Sequence, residues 1–196
     1  MKRNLKFLAL LLLSGAPLFV SCNDDDNNDP PAEASIYDRL GGEAMVQDPD
    51  AANGVMIESG RLAYRKVVGR TVQLIVADIQ AGAQGNLAEH FAPLLAEVGA
   101  GNTTNLAVLQ DNLVDFFSFN TGGTNPVNTY SGLDMVAAHN PAQNPRMGTT
   151  SSNADYDKFV GYVGAAAIEN GVPANSDLFN DVVAVLESLR DPIVQE

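Results

Sequence analysis

Tyr130-Ser131-Gly132-Leu133-Asp134-Met135-Val136-Ala137-Ala138-His139 is the segment on which the reading of this 196-residue chain turns. The sequence predicts about two helical turns over 132–139, ending in a histidine. Met135 and Ala138 make its surroundings apolar, so the turn offers a hydrophobic wall with one nitrogen donor. Only two histidines exist in the chain. Taken alone, a histidine at a helix end is more often a surface group than a ligand. Loops rich in Gly and Pro flank the segment: 120–131 with Gly122, Gly123 and Pro126, and 140–150 with Pro141 and Pro145.

Outward from there, apolar residues recur at spacings of three and four, and no stretch sustains an alternation of period two. Residues 35–42 read as a short helix ended by Gly41 and Gly42, with Ser35 and Asp38 in capping-box positions. Residues 46–59 read as a loop. A helix is expected over 60–79 (Leu62, Val67, Val68, Val72, Leu74, Ile75, Val76) and a short amphipathic piece over 87–98. A further helix, capped by Thr103 or Thr104, runs to Phe119 with Leu106, Leu109, Leu113, Phe116 and Phe117 on one stripe. Ser152 or Asn153 starts another, with Tyr156, Phe159, Val160 and Val163 inward, ended near Gly171 and Pro173. Asn175 or Ser176 caps the last, which carries Leu178, Val182, Val185, Leu186, Leu189 and Ile193 on one face. The expectation is one all-α domain of six or seven helices over 35–196, long enough for a real core.

The amino-terminal part reads differently. Lys2, Arg3 and Lys6 precede an apolar run from Phe7 to Phe19, too short for a stable membrane span and shaped like a signal peptide. It ends at Leu18-Phe19-Val20-Ser21-Cys22, which resembles a bacterial lipobox, although Phe19 stands where leucine is usual. The resemblance implies cleavage before Cys22 and its diacylation, with residues 1–22 as the lipoprotein leader. Cys22 is the only cysteine, so a disulfide or thiolate metal site within the chain is excluded. Residues 23–34, which open Asn23-Asp24-Asp25-Asp26-Asn27-Asn28-Asp29, carry little apolar surface to offset the entropy of ordering and read as an acidic, disordered tether. An acidic run at this place is similar to the surface-export signal of some bacterial lipoproteins. The expected location is therefore outside the cytoplasm: outer membrane, cell surface or periplasmic face. The net charge is −13, and it becomes more negative when the basic leader leaves. Such a chain does not bind nucleic-acid backbone by electrostatics, and anionic lipid repels it, so membrane contact falls to the lipid anchor.

The order and wording of several segments resemble group I truncated haemoglobins. The residues that carry this are Ser35-Ile36-Tyr37-Asp38-Arg39-Leu40-Gly41-Gly42, Leu113-Val114-Asp115-Phe116-Phe117, Thr121-Gly122-Gly123, the run from Tyr130 to His139, and Gly171-Val172-Pro173 with Leu189-Arg190 and Ile193-Val194. The similarity spans about 35–194. It implies a shortened globin with two helices packed over two and a b-type haem between them. It also implies that His139 is the proximal iron ligand, the place of a neutral imidazole in a five-coordinate haem. Val72, Phe91, Leu109, Leu113, Phe117, Tyr130 and Met135 are the remaining residues expected around the haem, and a diatomic gas (oxygen, nitric oxide or carbon monoxide) is the expected ligand.

The chain departs from that family on the distal side. The usual tyrosine aligns with Val72, its preceding phenylalanine with Thr71, and the usual distal glutamine with Leu113, while Leu109 lies one turn earlier. Loss of one good donor costs about 1–3 kcal/mol, roughly 5- to 150-fold in affinity. Fast oxygen release is therefore expected unless Tyr64, Thr71 or Asn112 supplies a donor. A basic residue expected near the haem carboxylates is Asn112 here, with Arg146 as a substitute. His90, where the family has an aromatic beside Phe91, reads as a partly exposed histidine or else as a second axial ligand. Segments 47–58 and 140–150 are insertions of unassigned role. Two other classes stay open: a haem enzyme such as a nitric-oxide dioxygenase or peroxidase, and a haem-free globin-like surface or structural lipoprotein. The first is disfavoured by an apolar distal side, because those reactions need polar groups around the oxygen species.

Overall fold

Ser35 sets the first turn. In the computed structural model, which describes residues 33–196, its hydroxyl accepts a hydrogen bond from the Asp38 amide while the Asp38 carboxylate accepts from the Ser35 amide. This closed capping box begins α1 (Ile36–Arg39). The expected leader, Cys22 and the tether up to residue 32 lie outside the described residues.

The longest helix is α2 (Ser59–Gln80), which buries Tyr64, Val68, Thr71 and Ile75 on one stripe. The spacing of four, three and four keeps these side chains on a single face of a 3.6-residue helix. Both α4 (Thr104–Asn120) and α6 (Asn153–Glu169) pack against α2. Helix α3 (Ala92–Gly99) lies on α4, and α7 (Asp177–Ser188) lies on α6 and α1. A short α5 (Met135–Ala138) touches α8 (Arg190–Ile193). The main core gathers Tyr37, Tyr64, Val68, Val114, Phe117, Val163 and Leu186. Within it the Tyr37, Tyr64 and Phe117 rings stack in series, with centroids 6.4 and 5.8 Å apart. Eight α-helices account for most of the ordered structure among the described residues, and the fold is predominantly helical. None of these helices is long and apolar enough to cross a membrane.

Four local expectations are corrected. Residues 46–59 are not simply a loop: β1 (Met45–Gln47) and β2 (Met56–Glu58) form an antiparallel hairpin with Val46 opposite Ile57. Three residues per strand are too few to show a period of two, and the Asp, Pro, Asn and Gly between them gave the whole stretch a loop composition. Asp48 ties the hairpin to α2 through Arg65, and that guanidinium pulls its carboxyl down to about 2. The last helix is not continuous to Ile193. It stops at Ser188 and restarts at Arg190, because Pro192 has no N–H for the Ser188 carbonyl and its ring crowds that position. Residues 132–139 supply one turn rather than two, begun by Asp134, whose carboxylate accepts from the Ala137 amide at 2.9 Å. At α4 neither threonine caps with its side chain; Asn102 does, accepting from the Thr104 amide at 3.1 Å.

Gly60 allows α1 to approach α2. A Cβ on it would lie 2.6 Å from the fully buried Tyr37 ring. Gly60→Ala is expected to cost about 1–3 kcal/mol, as overpacking of a filled core does. Urea unfolding measures it, and a loss below about 0.5 kcal/mol would contradict the tight contact.

Candidate ligand cavity

Helices that bury one apolar face each leave a space where their side chains do not meet. Here that space is a cavity of about 640 Å³ walled by α2, α3, α4, α6 and α7. The size lies within the range of small-molecule and cofactor sites. Its lining is dominated by aliphatic and aromatic side chains, and all eight residues assigned to a haem site from the sequence reach it: Val72, Phe91, Leu109, Leu113, Phe117, Tyr130, Met135 and His139. They come from four separate stretches of chain. Tyr130 packs edge-on against Phe116 and gives its hydroxyl to the Leu133 carbonyl at 2.6 Å. Gly132 must be glycine for this, since a Cβ would lie 2.4 Å from the Tyr130 oxygen.

His139 is the C-terminal cap of α5 and is half-buried. Its Nδ1 lies 2.9 Å from the Met135 carbonyl oxygen. A carbonyl can only accept, so the proton belongs on Nδ1 and the lone pair on Nε2. Nε2 has no hydrogen-bond partner among the described residues. Burial pushes the imidazole below its ordinary pKa, the charge of His90 adds to this, and the Met135 carbonyl opposes it. The ring is thus held neutral, oriented and able to donate electrons.

His90 is not partly exposed, as the sequence suggested. It is 6% exposed, with Nε2 3.2 Å from Asp155 Oδ2 and Nδ1 buried without a partner. Asp155 belongs to the capping box of α6. Burial pushes its carboxyl up, but hydrogen bonds from the Ser152 hydroxyl and amide, and the His90 ring, hold it below its usual value. The segment 140–150 folds back to this point, where the Gly148 amide donates to the His90 carbonyl at 2.9 Å. A Cβ on Gly148 would meet the Glu89 carbonyl at 1.9 Å, so only glycine permits this closure.

The three distal candidates differ. Tyr64 is committed elsewhere, 2.7 Å from the Thr121 hydroxyl, and burial pushes its phenol up to about 12. Asn112 lines the cavity on α4. Thr71 lines it from α2, is 5% exposed, and its hydroxyl has no partner among the described residues. Arg146 stands at the cavity rim and makes no ion pair; among the described residues Lys66, away from this cavity, is the other basic side chain of which that is true.

No group of three or more His, Cys, Asp or Glu that could chelate a metal ion occurs among the described residues. A single imidazole serves a metal only when another ligand already holds that metal. An apolar cavity of this volume, one oriented nitrogen and an unpaired cation at the rim fit a flat apolar group that brings its own metal and carries carboxylates. The sequence named Thr71 as one of three possible donors but not that its hydroxyl stands unpartnered, and the His90–Asp155 pair was missed. The first had a signal in the 64-68-71-75 stripe; the second had none, since Asp155 lies far along the chain. No family model and no curated protein compared with this chain matches it.

Proposed function

We propose that this chain is a haem-binding protein of truncated-globin architecture, with α2 and α4 as one layer, α6 and α7 as the other, and His139 as the iron ligand. The observation that carries the reading is the joint placement of eight family-expected residues on one cavity, with the Nδ1 of His139 tied to Met135 and Nε2 unengaged. The haem, when bound, supplies an iron that takes a diatomic gas. The chain would supply the rest: His139 would offer its lone pair to the iron, Phe91 and Leu109 would help exclude water, and Asn112 and Arg146 would hold the haem carboxylates. The Met135 carbonyl, by accepting from Nδ1, fixes the tautomer and ring angle of His139. We further propose that the domain is held outside the cytoplasm by lipid on Cys22, at the outer membrane, the cell surface or the periplasmic face. Its role is to bind or sense gas, or to hold haem there, with few polar groups suited to oxygen-cleaving chemistry.

Titration of the purified chain with haem tests this. A Soret band saturating at one equivalent is expected, and no Soret change at stoichiometric haem would overturn the reading. The pH dependence has a definite sign. Only neutral His139 binds iron, and its folded pKa is lowered, so haem is retained at neutral and alkaline pH and lost as pH falls through that lowered value. Soret intensity followed on the acid side of neutrality checks it; release on raising the pH instead would contradict it.

A further inference from the structure

Buried hydroxyls in folded proteins almost always have partners, and one that does not calls for an explanation. A threonine within a helix ordinarily turns its hydroxyl to the carbonyl four residues earlier. Thr71, in the middle of α2 and 5% exposed, makes no such bond to Val67 and no other among the described residues. It stands on the buried stripe beside Val68 and Ile75 and faces the cavity lining.

The three tyrosine hydroxyls around that cavity are spent on the protein. Tyr64 bonds Thr121, Tyr130 the Leu133 carbonyl, and Tyr156 the Leu186 carbonyl. His90 Nδ1 is the other unpartnered buried polar atom in the lining. The His90 ring is anchored through Nε2, 3.2 Å from Asp155 Oδ2. Among the described residues, Thr71 carries the one buried hydroxyl in the lining that has no partner.

We propose that the Thr71 hydroxyl is the hydrogen-bond donor to the gas ligand in this cavity, and that it sets the preference for oxygen over carbon monoxide. Of the gases a bound haem would take, oxygen would profit from a hydrogen-bond donor and carbon monoxide far less. Thr71 thus takes over, from the adjacent position on the same helix turn, the role that Val72 cannot fill. The cost appears in the ligand-free protein, which keeps a desolvated and unpaired hydroxyl in its core.

The proposal rests on the haem reading, and its test separates the two. Thr71→Val and Thr71→Ser are compared with the parent chain. Without haem, Thr71→Val is expected to melt about 2–4 °C higher, the shift that removing one unpaired buried hydroxyl gives in a domain of this size. With haem, it is expected to release oxygen about five- to tenfold faster, with carbon monoxide affinity changed less than about twofold. Thr71→Ser, which keeps the hydroxyl, is expected to hold oxygen within about twofold of the parent. A lower melting temperature for ligand-free Thr71→Val would show the hydroxyl already satisfied and overturn the proposal. So would an unchanged oxygen-to-carbon monoxide ratio in a protein that binds haem normally. Absence of a Soret band in the parent chain would remove the haem reading and this proposal with it.

Discussion

His139→Ala is expected to weaken haem binding by more than about 100-fold while leaving the helical fold in place. The expectation follows from what the side chain does and does not hold. Changing a group that only hydrogen-bonds to a metal ligand already costs about 10–100-fold in affinity, so loss of the ligand itself costs more. His139 makes one hydrogen bond, to Met135 within its own turn, and caps a helix of four residues. Losing that bond removes about 1 kcal/mol of stability, well within what a domain tolerates. The two outcomes are read separately: the Soret band reports the iron, and far-UV circular dichroism reports the helices. Added imidazole is expected to restore much of the Soret band, because the alanine leaves room where the ring stood. A variant that binds haem as tightly as the parent would move the ligand elsewhere, with His90 as the remaining histidine. A variant that unfolds would show that α5 and its cap carry more of the fold than one hydrogen bond.

Glu58→Ala is expected to be the most destabilising single truncation outside the cavity, at about 3–5 kcal/mol. Glu58 is 4% exposed at the end of β2 and accepts from the Tyr37 hydroxyl, Asn125 and, at 2.9 Å, Asn128. Tyr37 and Asn128 are themselves fully buried. Removing the carboxylate leaves several donors in the core without an acceptor, each carrying its own desolvation penalty. The cluster joins α1, the hairpin, the start of α2 through Arg61, and the 3₁₀ turn Pro126–Asn128, so its loss loosens four segments together. Burial pushes the Glu58 carboxyl up, but the hydrogen bonds from Tyr37, Asn128 and Asn125 outweigh it and hold the pKa below the ordinary value. The same contact, together with burial, raises the Tyr37 phenol. A carboxyl with a lowered folded pKa contributes stability that is complete above its unfolded pKa and fades as pH falls through the folded one. The parent chain is therefore expected to lose stability in that acidic window, and Glu58→Gln to lose less of it there. Urea unfolding at neutral and acidic pH measures both. A neutral-pH loss under about 1 kcal/mol for the alanine variant would show that the cluster is not a structural anchor.

What could be read from the sequence was local. The capping box at Ser35 with Asp38 needs residues three apart and formed, and of the two starts expected for α6 Ser152 is the cap. The long helices needed only apolar spacing, and α2, α4 and α6 follow it closely. The resemblance at Tyr130 to His139 marked a donor nitrogen at a helix end, and the tautomer that frees it comes from a carbonyl only four residues away. The tertiary structure decided what depends on distant partners. Three-residue strands became a hairpin because Asp48 found Arg65 and Glu58 found Tyr37 and Asn128. His90 became a core residue because the Asp155 carboxylate lies 3.2 Å from its Nε2. Thr71 became an orphan because the cavity gives its hydroxyl no acceptor, a property of the space between helices and not of any one of them. Periodicity reports which face of a helix turns inward; only packing determines what that face meets.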